Sequence, residues 1–204
     1  MKKSFLFLII LVVVGAEISF AQGFKIGIRG GLSMVQGDAY TNDISQGGLG
    51  FSTEYHIGIK GKINLPLLPI TPIAFVDYYR LSGEEAVPQG TIEISQSIVS
   101  AGAGVEYSLA PGPINPYVTV TVASNSFSKL DVTTPAGYTG AVPSGDGVTR
   151  VGAGIGLGLD ISIIPSLDVD ATVSYNWLNL IGKESGEETV RVINLDVAVA
   201  LVSM

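Results

Sequence analysis

The sequence contains no cysteine. No disulfide can brace it in an oxidising compartment, so packing or an apolar solvent must supply its stability. Charge is scarce too. Charged residues make up 14% of the 204, and their balance is −7. That acidic balance excludes nucleic acid as a partner, because polyphosphate recognition wants a basic face. Long hydrophobic runs are missing as well, with one exception. Phe5–Val14 reads FLFLIILVVV and stops at Gly15 and Glu17, short of the ~20 apolar residues of a spanning helix. Lys2 and Lys3 precede the run, and Ser19-Phe20-Ala21 follows it. This charged, apolar, small-residue order predicts a secretory signal over 1–21, cut after Ala21. No cysteine follows the run, which excludes a lipoprotein anchor. The remaining segment, 22–204, suits one domain.

What is present is apolar material without apolar runs. Hydrophobic residues make up 47% and there are 26 glycines. A chain this apolar with no second spanning run has one membrane solution, a closed barrel of alternating strands. Eight strands are predicted, at about 24–33, 51–64, 71–82, 91–109, 114–127, 148–163, 166–178 and 189–203. No stretch holds a helical period. The connections alternate in kind. Three are short and carry proline: Pro66 and Pro69, then Ala110-Pro111-Gly112-Pro113, then Ile164-Pro165-Ser166. Four are longer and polar: Met34–Gly50, Gly83–Gly90, Lys129–Gly147 and Asn179–Glu188. Short turns on one rim and long loops on the other are the rhythm of an outer-membrane barrel. An even strand count puts both ends on the short-turn rim.

Successive strand residues point to opposite faces. On the seventh strand Leu167, Val169, Ala171, Val173, Tyr175 and Trp177 oppose Asp168, Asp170, Thr172, Ser174 and Asn176. On the sixth, Val151 to Ile161 opposes Arg150, Gly152, Gly154, Gly156, Gly158 and Asp160. Either face could point inward. A soluble lipocalin-like carrier would bury the apolar one, and a membrane barrel the polar one. The glycine row favours the membrane barrel. Glycines only weaken a solvated exterior, whereas inside a narrow barrel they make room for long charged side chains. Phe51, Tyr55, Tyr79, Tyr175 and Trp177 are expected as one aromatic girdle, and Phe24, Tyr107 and Tyr117 as the other. The third strand, from Ile73 to Leu81, has no readable orientation.

The interior then holds Lys25, Arg29, Glu54, Lys60, Lys62, Glu93, Glu106, Arg150, Asp160, Asp168, Asp170 and Asp196. Unpaired buried charge is very costly, so an ion-pair network is predicted. Asp160, Asp168 and Asp170 should meet Lys25, Lys60 or Lys62. Eight strands enclose just enough space for side chains to fill, which predicts a plug and leaves a narrow pore as the alternative.

The signal, the alternating strands, the loop rhythm, Pro116-Tyr117-Val118 opening the fifth strand and the glycine-rich sixth strand carry a resemblance. The chain resembles the small eight-stranded outer-membrane barrels, the broad family of the outer membrane protein A membrane domain and the attachment and opacity proteins. The resemblance covers 22–204. It implies an all-β, closed, antiparallel, up-and-down transmembrane barrel in the bacterial outer membrane. It also implies contact with outer-membrane lipid and lipopolysaccharide, and delivery by the barrel insertion machinery. Such barrels often end in an aromatic residue, and here the end is Leu201-Val202-Ser203-Met204.

Barrels of this size include lipid-modifying enzymes, so catalysis is a third reading. Nucleophilic catalysis needs a base beside a hydroxyl or thiol. The one histidine, His56, should point inward, and no serine follows it at hydrogen-bonding spacing. It reads as part of the interior polar network. Asp168 and Asp170 could suggest a divalent metal, yet strand alternation alone gives that spacing. Glycines 152–158 have period two, unlike a phosphate-binding turn. No catalytic, cofactor-binding or metal residue is therefore assigned. Glu84-Glu85 and Glu184 with Glu187-Glu188 read as solvated loop charge. The alternatives are cation bridges to lipopolysaccharide phosphates or contact with a basic surface. The predicted role is structural or surface-interacting, with loops 34–50 and 129–147 as the contact segments.

Overall fold

The computed structural model describes residues 23–44, 48–65, 68–110, 112–164 and 166–202. The expected signal (1–21), the turn prolines Pro66, Pro111 and Pro165, and Ser203-Met204 lie outside the described residues. In chain order the elements are β1 (Phe24–Gln36), α1 (Asp38–Thr41), β2 (Glu54–Ile63), β3 (Ile70–Val87), β4 (Gly90–Ser108) and β5 (Ile114–Phe127). Then come β6 (Asp131–Thr133), β7 (Val148–Ile164), β8 (Leu167–Ile181) and β9 (Arg191–Val202).

Eight of these strands form one closed antiparallel wall. Sequence neighbours pair, and β1 pairs with β9 to complete the circle. The ninth, β6, lies beside the upper part of β4, where Asp131–Thr133 meets Glu93–Ser95. The pairs can be followed once round the wall. They run from Ile26 through Gly61, Ala74, Ala103, Val122, Ala153, Trp177 and Arg191 to Gln36. The path returns to β1 ten residues higher. This stagger tilts the strands by about 40° and leaves an interior that side chains can fill.

The apolar half of each strand faces out. Ile28, Ile57, Ile155, Leu157, Val173, Val197 and Val199 are exposed, while Lys60, Lys62, Asp168 and Asp170 are buried. This is the polarity of a barrel in hydrocarbon and the reverse of a lipocalin-like carrier. On β4 the outward face runs apolar from Tyr107 up to Val99 and turns polar at Ser97. Those nine residues fit the ~9–11 that a tilted strand spends in a bilayer. None of the described residues on the outward face of this belt is charged.

Several expectations are corrected. Phe51, Tyr79 and Tyr117 are buried inside the wall and are absent from the girdles. The outward aromatics are Tyr55, Tyr78, Tyr175 and Trp177 at the long-loop end, with Phe24 and Tyr107 at the other. The span Gly83–Gly90 is not a long loop. β3 and β4 continue paired to Val87 and Gly90 across a turn at Pro88-Gln89. Glu93 faces water, because Ile92 and Ile94 on either side of it point inward.

The third strand also gains an orientation. Ile73, Asp77, Tyr79 and Leu81 point in, and Ala74, Val76, Tyr78 and Arg80 point out. It is illegible by alternation because its apolar face changes sides. Within the belt the environment outside is hydrocarbon; above the belt it is water. There Leu81, Ile92, Ile94, Ile98, Phe127 and Val192 pack together inside the wall, with Phe51 and Ile44 folding in from the first loop.

Candidate functional site

Charged and polar side chains converge in the lumen, and it is layered along the barrel axis. The layer nearest the short turns is ionic. Lys60 and Lys62 alternate on β2, and Asp168 and Asp170 alternate on β8, so each pair points inward. Lys60 Nζ lies 2.7 Å from Glu106 Oε1 and 2.8 Å from Asp170 Oδ2. Lys62 Nζ lies 2.5 Å from Asp170, 2.9 Å from Glu106 and 3.3 Å from Asp160. Lys25 pairs with Asp168 and lies 3.4 Å from Asp160. The lysines thus meet the aspartates that alternation assigns to them, and Glu106 joins as a further carboxylate. Asp168 and Asp170 are thus each paired with lysine. Among the described residues no group is placed to hold a metal.

Tyr117 crosses this layer. Its hydroxyl donates to Asp170 Oδ1 at 2.5 Å, and its ring lies 4.9 Å from Lys62 Nζ. Gly158 makes the crossing possible. A Cβ there would stand 2.2 Å from Tyr117 Cζ. The glycine row therefore makes room at this level for an aromatic ring, where sequence reasoning expected a long charged chain.

The middle layer joins β1, β2, β3 and β9. Arg29 makes a two-pronged pair with Asp77, with Nε 2.6 Å from Oδ1. The guanidinium carbon lies 4.6 Å from the centre of the Phe75 ring. His56 stacks on Tyr79 with centroids 5.1 Å apart. Its Nε2 meets Asp196, and its Nδ1 lies 2.8 Å from Ser33 Oγ. Sequence reasoning missed Ser33 because it searched along the histidine's own strand. The signal lies on the neighbouring one: Gly31 pairs with His56, and Ser33 is two residues on along the same inward face.

Serine, histidine and aspartate in contact raise the question of acyl transfer. That chemistry needs a hydroxyl that a carbonyl can approach and donors for the oxyanion. Ser33 is 0% exposed. Its hydroxyl donates to Asn194 Oδ1 at 3.0 Å, and Asn194 Nδ2 donates to Tyr79 Oη at 3.0 Å. The set is a sealed hydrogen-bond chain across the β1–β9 seam.

Between the two layers lies a cavity of about 40 Å³ lined from all round the wall, by Arg29, Lys60, Asp77, Thr121, Asn125 and Asn176 among others. A water needs ~10–15 Å³ on this measure, so the cavity holds roughly three. The apolar cluster lies on its long-loop side and the ionic layer on the other. Beneath the ionic layer, a mouth of about 490 Å³ opens among Lys25, Asn64, Thr71, Ser108 and Asn115.

A second polar cluster clasps the loop between β8 and β9. Arg150 Nη2 lies 2.8 Å from Glu187 Oε2, and Asn179 Nδ2 donates to Glu187 Oε1 at 2.8 Å. Asn179 is buried and also accepts from Val190 N at 2.7 Å. Partial burial pushes the Glu187 carboxyl up, but the Arg150 and Asn179 hydrogen bonds outweigh it and hold the group down at about 2. Burial, with Glu187 and Glu188 nearby, pushes the Tyr40 hydroxyl up to about 12. Gly182 ends β8 at φ 89°, a conformation that favours glycine.

Known proteins share this architecture. The structure of Neisserial surface protein A matches with a TM-score of 0.59 and 19% identity, over 87% of this chain and 96% of that one. The attachment invasion locus protein Ail of Yersinia pestis, solved with the heparin analogue sucrose octasulfate, matches at 0.53 and 14%, over 89% and 98%. A major outer membrane protein from Thermus thermophilus matches at 0.53 and 13%, over 88% and 98%. At these identities the likeness is one of fold. A search of curated proteins finds no match. The description of the outer membrane protein beta-barrel domain family matches residues 5–201. The chain belongs to that family of bacterial outer-membrane β-barrels.

Proposed function

We propose that the protein is a non-conducting, non-enzymatic barrel whose wall serves as a scaffold and whose long-loop end, facing the cell exterior, meets partners. The observation that carries this reading is the double closure of the lumen. A path along the axis would have to break the Lys60–Asp170–Tyr117 contacts and then displace the packed cluster around Leu81 and Ile98. The part of the wall above the belt has an apolar core of its own, so α1, β6 and the described residues of 37–50 and 129–147 sit on a firm base. Insertion by the barrel assembly machinery belongs to this reading.

Charge selects the kind of partner. Above the belt Glu84, Glu93, Asp131, Glu184 and Glu188 face solvent, and carboxylates outnumber cations. Such a surface favours a basic partner and repels a polyanion of the kind seen with Ail. Planar-bilayer recording tests the closure: the purified protein should give no stable, large conductance, and a steady open channel refutes it. Binding of immobilised cells to polylysine-coated and heparin-coated surfaces tests the partner class. Preference for heparin refutes the basic-partner reading.

A further inference from the structure

Two arginines stand apart from the other cations on the wall's strands; Lys183, also outside any ion pair among the described residues, lies in the loop between β8 and β9 and donates to Thr189 Oγ1. Arg80 on β3 and Arg191 on β9 are exposed and point outward. Neither is in an ion pair among the described residues, whereas Lys25, Arg29, Lys60, Lys62 and Arg150 all are.

Their height follows from the stagger. Ten residues of climb over eight pairing steps raise each step by a little over one residue. Tyr79, just before Arg80, stands two steps beyond Gly31 of β1, through His56. Arg191 stands one step before Gln36. Both arginines therefore fall at the level between Met34 and Val35. Tyr55, Tyr78 and Trp177 lie just below that level, as aromatic residues do where hydrocarbon gives way to headgroups. Three strand spacings separate the two arginines around the wall, so they reach separate anionic groups. The other rim has no counterpart. Its outward face carries Phe24, Tyr107, Ile114 and Leu201, and its turns at 64–69, 109–113 and 164–166 contain no lysine or arginine.

We propose that Arg80 and Arg191 bind the phosphate groups of lipid A, the phosphorylated glycolipid anchor of lipopolysaccharide. An unpaired guanidinium matches phosphate in charge and in two-pronged geometry. Placement at one rim alone selects the leaflet that holds this lipid and passes over the phospholipid leaflet. The proposal rests on the outer-membrane family and not on the partner role above, so the two fail separately.

The test uses the full barrel in detergent, with native mass spectrometry reading bound lipid. Lipid A, enzymatically dephosphorylated lipid A and phosphatidylglycerol are offered in turn. A basic side chain near an anionic surface is worth about 1 kcal/mol, so Arg80→Gln and Arg191→Gln should each weaken lipid A binding about five-fold. The Arg80→Lys/Arg191→Lys protein should keep most of the affinity. Every variant should keep the shifted gel mobility of an unboiled barrel, which separates lost binding from lost folding. Three results would each overturn the assignment. In the first, the double glutamine variant holds lipid A as the unaltered protein does. In the second, dephosphorylated lipid A binds as well as the phosphorylated form. In the third, phosphatidylglycerol binds equally.

Discussion

Replacing Gly158 with alanine adds one methyl group and should cost far more than a methyl usually does. The new Cβ would lie 2.2 Å from Tyr117 Cζ and 2.3 Å from its Oη, so the ring has to move. It cannot move freely, because its hydroxyl donates to Asp170 at 2.5 Å and lies 2.6 Å from Thr172 Oγ1. Overpacking a filled interior costs about 1–3 kcal/mol. Losing a hydrogen bond to a charged group costs roughly 1.5–3 kcal/mol. The two overlap in part, which gives an expected loss of about 2–4 kcal/mol. Denaturant unfolding in lipid vesicles, followed by the fluorescence of Trp177, measures it. Tyr117→Ala in the same protein removes the obstruction, so Gly158→Ala should then cost little more. Neighbours that share a contact are non-additive in this way. If Gly158→Ala stays within about 0.5 kcal/mol of the unaltered protein, or if the two changes simply add, the packing argument is wrong.

In the ionic layer the order of effects should follow the charge count. Three lysines (25, 60 and 62) face four carboxylates (106, 160, 168 and 170). Removing a cation leaves carboxylates unpaired, so Lys62→Met should cost about 3–5 kcal/mol. Asp160→Asn should cost clearly less, and the opposite order in vesicle unfolding would contradict the layer's polarity. Leu157→Arg, outward at mid-belt, should cost about 2–4 kcal/mol, and Ile114→Arg at the short-turn rim about 0–1. Equal costs would mean that the belt does not face lipid. The Arg150–Glu187 clasp should depend on pH. The folded carboxyl sits at about 2, below its ordinary value, so its contribution is full above about 4.5. That contribution fades as pH falls toward 2. Protection of the 182–190 amides, taken relative to the intrinsic exchange rate at each pH, should fall over that window while the wall stays protected, and unchanged protection would refute the clasp.

Much of the wall is legible locally. Asp168, Asp170 and Thr172 against Val169, Ala171 and Val173 can be sorted by parity, since a strand sends neighbours to opposite faces whatever lies beyond it. The same rule misleads where the surroundings change along one strand. Ile92 and Ile94 look like lipid-facing residues, yet they stand above the belt, where water lies outside and apolar groups turn inward. Phe51, Tyr79 and Tyr117 defeat the sequence reading for a related reason. An aromatic residue near a rim has the same letter whether it anchors in the interface or fills the lumen.

The amino-acid order by itself therefore determined the apolar-out wall, the short and long rims, and the ionic interior, because alternation, the glycine row and the lengths of the connections are all local features of the chain. Only the tertiary structure decided which charges meet, that Ser33 reaches His56, that Tyr117 lies over Gly158, and that Arg80 and Arg191 share one height. Those relations join residues far apart in the chain. They are set by closure and by a ten-residue stagger, which no single strand contains.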